Sequence, residues 1–238
     1  MNKICLQFFF FIVYSIIGYL AELIFCSIGS KKLVVDRGFL IGPYCPIYGV
    51  GAVLMSHFLT EFDKSPVAIF VMGAVIATVI EYITSFVLEK LFKVRWWDYS
   101  HKSFNINGRV CIKNSVFFGL GALLVVYVGN NLVYKFATIF NPTVFNVLNI
   151  VLMILFTLDV IVSNKIIFEI SSNSELLKGD MTKEIKTQVK EKIKKNLVLK
   201  KRLLNSYPNI FKDIRNFIKK QEKLNKERRE ARKEKKNK

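Results

Sequence analysis

"PVAIFVMGAVIATVIEYITSFVLEKLF" occupies Pro66–Phe92 and contains only three charged residues, Glu81, Glu89 and Lys90. As one helix it extends about 40 Å, at roughly 1.5 Å per residue. A bilayer core is about 30 Å thick and takes roughly 20 apolar residues to cross. A helix on the surface of a soluble protein keeps a polar face, and this stretch has none along most of its length. The reading is a transmembrane helix, and it sets the class of the whole chain.

The same pattern recurs on both sides. Residues 4–28 carry one charge, Glu22, and residues 39–59 carry none. Residues 116–133 are also uncharged, and residues 144–162 carry only Asp159. The 238-residue chain is 52% hydrophobic and has 21 phenylalanines. The expected fold is an all-α polytopic membrane protein with five transmembrane helices in residues 1–170, followed by a basic tail in residues 171–238. The first run is too long for a signal peptide and lacks a small-residue cleavage site, so it reads as a retained helix.

Basic residues give an orientation. Lys31, Lys32 and Arg37 lie between the first two runs, and Lys93, Arg95, Lys102 and Arg109 lie between the third and fourth. The tail follows the fifth. The other side has only Lys3, Lys64 and Lys135. Lys and Arg in short loops mark the cytoplasmic face, so the expected topology is N-terminus out and C-terminus in. Cys5, Cys26, Cys45 and Cys111 have no paired spacing. Three of them are expected near the reducing cytoplasmic side, so neither a disulfide nor a metal site is expected.

The loop "WWDYSHKSFNINGRV", residues 96–110, is polar between two apolar runs. Trp96, Trp97 and Tyr99 suit the headgroup zone, where amphipathic rings anchor. Asn and Gly tolerate positive φ, so "NING" fits a turn into the next helix. A second reading comes from depth. Glu22, Glu81, Glu89 and Asp159 all fall at mid-depth or in the cytoplasmic half, and Arg37, Arg95 and Arg109 enter from that side. Glu81, Ser85 and Glu89 share one helix face, since residues at i, i+4 and i+8 stack along one side. Ionisable groups in a membrane usually face a cavity or a partner. The two readings are a polar cytoplasm-facing pocket with the loop as its lid, or separate interfacial charges.

"DRGFLIGPYCPIYGVGA", residues 36–52, carries Pro43, Pro46 and four glycines. Proline lacks the N–H that a helix interior needs. Residues 42–49 therefore read as a broken or re-entrant segment, which is tolerated only where protein or water covers the freed backbone. The plainer alternative puts Pro43 in the first helical turn, with Pro46 as a kink.

These motifs, with "GYLAE" at residues 18–22 and residues 81–119, resemble the bacterial membrane-protein family labelled putative ABC-transporter type IV, or CmpB-like. The resemblance spans about residues 8–160 and carries over Glu22, Arg37, Gly38, Pro43, Pro46, Tyr48, Glu81, Glu89, Trp97, Asp98, Asn105, Asn107 and Arg109 as motif positions without roles. It implies a permease in a bacterial cell membrane. The chain has no GxxxxGK[ST] phosphate loop, so an ATPase would be a separate subunit, and five helices favour a homodimer. No cofactor motif is present. The pocket candidates are Glu22, Arg37, Tyr48, Glu81, Glu89, Trp97, Asp98, Asn105, Asn107, Arg109 and Asp159.

The tail holds 23 basic and 9 acidic residues, a net +14 of the chain's +18. Ile185, Val189, Ile193, Leu197 and Leu204 form one amphipathic stripe. Ile210, Phe211, Ile214, Phe217, Ile218 and Leu224 form a second. The first expectation for such a tail is anionic lipid. A helical hairpin against a partner comes next, and nucleic acid last, because no recognition motif accompanies the charge. The expected function is a permease-like transport component. The alternatives are a scaffold or regulator working through the tail, and an inner-leaflet lipid-headgroup enzyme using Glu81, Glu89 or Asp98 as base and Arg37 and Arg109 as phosphate ligands.

Overall fold

A computed structural model describes residues 1–30, 40–92 and 95–178. The elements in order are α1 (Lys3–Ser30), α2 (Pro46–Phe58), α3 (Pro66–Phe92), β1 (Asn105–Ile106), β2 (Val110–Cys111), α4 (Ile112–Leu124), α5 (Asn130–Thr138) and α6 (Pro142–Lys178). A single turn of 3₁₀ helix at Thr60–Phe62 follows α2. A π-helical turn at Val125–Gly129 joins α4 to α5 into one rod. The tail beyond residue 178 and the loop holding Arg37 lie outside the described residues.

Among the described residues, four helices are long and apolar enough to cross a membrane: Lys3–Ile28, Pro66–Phe92, Ile112–Thr138 and Pro142–Phe168. They answer four of the five expected runs. The second run differs. Residues 40–45 are not helical, and α2 has only 13 residues. That is about 20 Å of helix against about 30 Å of hydrocarbon. Pro46 is the cause, because it occupies the first turn of α2, where its missing N–H is harmless. Pro43 lies in the bends before the helix, so the reading with Pro43 in the first turn does not hold.

α1 and α2 pack antiparallel through small residues. A Cβ on Gly49 would collide with Ser15 Oγ and the Phe11 carbonyl, and one on Gly18 would collide with the Tyr48 ring. α3 and α4 meet in the same way, with Gly73 against Ala122 and Gly119 against Phe70. Small residues let helices approach closely where lipid offers no hydrophobic drive. α6 lies along α1 in the same direction. Asn146 takes the Asn2 N–H at 3.0 Å, and Phe156 stacks edge-on to Phe8 and Phe11 at ring distances of 6.1 and 5.2 Å.

This places residues 41–45 halfway along α1 and α6. Cys45 N–H donates to the Ser15 carbonyl at 2.9 Å. Ile41 N–H donates to Asp159 Oδ1 at 3.0 Å and to Ser163 Oγ at 3.2 Å. Gly42 N–H donates to Asp159 Oδ2 at 2.7 Å, and the Tyr44 hydroxyl donates to the same oxygen. One carboxylate therefore satisfies two backbone N–H groups and a phenol. Non-helical backbone at membrane depth needs such cover.

Candidate functional site

The polar loop is a β-hairpin followed directly by α4, a small departure from the all-α expectation. Asn105 pairs with Cys111 and Ile106 with Val110. Asn107 and Gly108 sit at φ +53° and +68°, and Arg109 N–H closes the turn on the Ile106 carbonyl at 3.0 Å. Two successive left-handed residues are what Asn-Gly supplies in a tight hairpin turn. Asn105 braces it twice over. Its Oδ1 accepts Gly108 N–H at 2.9 Å, and its Nδ2 donates to the Lys102 carbonyl at 2.8 Å. A Cβ on Gly108 would collide with Ser100 Oγ, 2.6 Å from Asp98 Oδ1 and 3.0 Å from Arg95 Nη1.

The hairpin aims Arg109 at α3. Its Nη2 lies 2.7 Å from Glu89 Oε2, and its Nη1 donates to Ser85 Oγ at 3.2 Å. Its guanidinium also sits 5.7 Å from the Tyr82 ring centre and 5.4 Å from that of Phe86, inside the range of a cation–π contact. Trp97 fixes the arginine backbone, donating Nε1–H to the Arg109 carbonyl at 2.8 Å. Asn107 Nδ2 donates to the Tyr82 hydroxyl at 3.0 Å. Arg95 reaches the same Glu89 oxygen at 3.1 Å and Asp98 at 3.7 Å. Hydrogen bonds from the Ser100 hydroxyl and N–H, and then the Arg95 charge, hold the Asp98 carboxyl below the usual carboxylate range.

One turn below Glu89, Ser85 is 2% exposed, and two turns below it Glu81 is 4% exposed. The Tyr99 hydroxyl reaches down from the loop and donates to Glu81 Oε1 at 3.2 Å. Burial first, and then the Glu81 charge and hydrogen bond, push the Tyr99 phenol well above the ordinary tyrosine range, and Asn114 of α4 acts against this. Glu81 Oε2 is buried without a hydrogen-bond partner. Glu22 faces Glu81 from α1, and the Tyr48 hydroxyl of α2 donates to Glu22 Oε1 at 3.3 Å. Four elements thus meet around two carboxylates and two phenols.

Of the eleven candidates, Glu22, Tyr48 and Glu81 gather in this inner cluster. Glu89, Arg109 and Asp98 belong to the ion-pair layer above it. Trp97, Asn105 and Asn107 hold the hairpin in place. Asp159 stands apart from Arg95 and Arg109 and is engaged by Ile41, Gly42 and Tyr44. Arg37 lies outside the described residues. Sequence reasoning misses Tyr99 and Asn114 as members of the cluster. Tyr99 reads as a headgroup anchor in sequence, and nothing in the spacing of Asn114 ties it to Glu81.

A second polar feature lies at the other end of the helices. Asn130 Oδ1 accepts the Tyr14 hydroxyl at 3.0 Å and the Ser56 hydroxyl at 2.7 Å. Beside it is an open cleft of about 360 Å³, with Gln7, His57, Thr60 and Asn131 among its walls. The π-turn immediately precedes Asn130, and the neutral "NN" carries no charge signal in sequence.

A comparison with protein-family models matches residues 9–164, more than half of the 238-residue chain, to the family described as "Putative ABC-transporter type IV". No curated protein matches the chain, and no solved structure matches it. The match takes in most of α1, all of α2 to α5, most of α6, and both layers of the polar site, so this chain is a membrane protein that belongs to the family described as "Putative ABC-transporter type IV".

Proposed function

We propose that the chain is the membrane-embedded, permease-like component of a transporter, with a polar vestibule that opens on the cytoplasmic side beneath the hairpin. The observation that carries this reading is the convergence of Glu22, Tyr48, Glu81 and Tyr99 from α1, α2, α3 and the loop inside the membrane-spanning region. Separate interfacial charges would not gather from four elements. Glu89, Arg95 and Arg109 close the cytoplasmic rim of the vestibule as a latch. The Lys and Arg bias of the loops supports a rim on the cytoplasmic side of the bacterial membrane, with the N-terminus outside. The chain then crosses five times, with residues 40–45 and α2 together making the second crossing.

In this reading the ATPase is another subunit, the tail rests on anionic lipid, and two copies of the chain form the pathway. The vestibule is tested with a cysteine at Asn114 in a chain whose native cysteines are replaced by serine. A membrane-impermeant thiol reagent should label it in inside-out vesicles and leave it unlabelled in right-side-out vesicles. Absence of labelling from both sides removes the vestibule. The transport role is tested by purification from the native membrane. Recovery of an ATP-hydrolysing partner supports it, and repeated recovery of the chain with lipid alone opposes it.

A further inference from the structure

Glu81 is a buried acid of α3 with polar groups facing it from several elements. Glu22 faces it from α1, with the Tyr48 phenol of α2 bound to that second carboxylate. Tyr99 faces it from the loop, with Cys111 close to the Tyr99 phenol, and the Asn114 amide of α4 also stabilises the Glu81 carboxylate. Arg109, which reaches the same face of α3 from the hairpin, is engaged by Glu89 and Ser85. Glu81 enters no ion pair with a described residue, and one of its oxygens has no hydrogen-bond partner although the side chain is 4% exposed.

A carboxylate shielded from water and left with an empty lone-pair direction is strongly disfavoured unless a positive charge meets it. The orphan oxygen is itself buried, so an organic cation does not fit against it. A divalent ion calls for more oxygen ligands, and no three His, Cys, Asp or Glu side chains converge among the described residues.

We propose that Glu81 is the binding site for one small monovalent cation, a proton or a sodium ion, held at Oε2 while Tyr99 fixes Oε1. The site rests on the vestibule reading, since the vestibule is how the ion arrives. It differs in kind from the latch above it, where each charge already has a partner. If the ion is a proton, it adds to the carboxylate to give the neutral acid and leaves by the same route. If it is sodium, the carboxylate stays ionised and the ion takes its remaining ligands from the phenols, the Asn114 amide or water.

The test is infrared difference spectroscopy of the full-length chain in nanodiscs at neutral pH, with choline or sodium as the buffer cation. In choline the proton arm gives a protonated-carboxyl C=O band that Glu81→Gln abolishes. Tyr99→Phe, which removes one hydrogen bond and keeps the acid, should move that band to higher frequency, and this holds even if the Gln variant fails to fold. In the sodium arm, sodium raises the melting temperature above that in choline, and Glu81→Gln removes the difference. A carboxyl band that survives Glu81→Gln overturns the proposal, as does a chain with neither the band nor a sodium response. The vestibule stands or falls separately on labelling at Asn114, which does not depend on what Glu81 holds.

Discussion

Arg109 is the residue on which the loop turns. It meets one carboxylate, one hydroxyl and two aromatic faces at once. Breaking a buried ion pair costs about 3–5 kcal/mol, and exposed pairs are worth about 0–1 kcal/mol. The Arg109 side chain is 11% exposed and that of Glu89 is 32%, so Arg109→Ala should cost about 2–3 kcal/mol, between those limits. Lys102 stands exposed in the same loop, and Lys102→Ala should cost under about 0.5 kcal/mol. Melting of the two purified variants in one detergent measures the difference, and equal melting temperatures would remove the latch. Tyr99 gives a prediction in pH. Its phenol is raised in the folded chain, so its contribution is complete below the ordinary tyrosine value of about 10. That contribution fades as pH rises beyond it, because the unfolded chain ionises first. Tyr99→Phe should therefore lose less stability than the parent chain between neutral and strongly alkaline pH, read as the slope of unfolding midpoint against pH.

Among the elements, the second run is the one most changed by its neighbours. Its first residues give up helical hydrogen bonds and find Asp159 instead. Asp159→Ala removes one acceptor each from Ile41 N–H, Gly42 N–H and the Tyr44 phenol, with Ile41 N–H still facing the Ser163 hydroxyl; a buried hydrogen bond lost in this way costs about 1–3 kcal/mol. The expected loss is about 3 kcal/mol, with Asp159→Asn recovering part of it through its carbonyl oxygen. Cys45, buried beside the same segment, should react faster with a thiol reagent in the alanine variant, and an unchanged rate would show that Asp159 does not hold the segment. The hairpin has its own critical position. Gly108 combines a left-handed φ with close approach to Ser100, Asp98 and Arg95. Left-handed backbone costs an ordinary residue about 1–2 kcal/mol, so Gly108→Ala should destabilise by at least that amount and loosen Arg109 from Glu89. Thermal unfolding of the purified variant checks the first effect.

For the whole molecule the question is which end faces which side. The N-terminus, the α2–α3 connection and the start of α6 share one end, and the hairpin lies at the other. Single cysteines at Lys64 and Lys102 should label from opposite sides of the membrane, Lys64 from outside. Labelling of Lys102 from outside would reverse the orientation and move the Glu81 site to the outer half. Phe104, 82% exposed, and Ile106, 57% exposed, stand on the hairpin surface. The anchoring role was read for Trp96, Trp97 and Tyr99; of these, Trp97 carries the hydrogen bond to Arg109 and Tyr99 the one to Glu81. One loop thus offers apolar side chains to its surroundings and polar ones to α3.

The crossing helices were legible in the sequence because transfer into a bilayer is close to additive along a run, so a long enough apolar run favours insertion whatever its neighbours are. The stacking of Glu81, Ser85 and Glu89 was legible for the same local reason, helical periodicity, and the Asn-Gly turn because backbone sterics are local. Pairing is not local. Asp159 stands 117 residues from Gly42 in the chain, and no pattern near either residue says that they meet. Grouping residues by depth alone therefore did not foresee the bond from Gly42 to Asp159, since depth fixes one coordinate and contact needs three. The length of α2 was decided in the same way. Proline allowed the break, but only the carboxylate and carbonyl of two other helices made non-helical backbone stable at that depth. The orphan oxygen of Glu81 was equally beyond the sequence, because whether a buried acid has a partner depends on where the nearest arginine can reach, and the hairpin carries Arg109 to Glu89 instead.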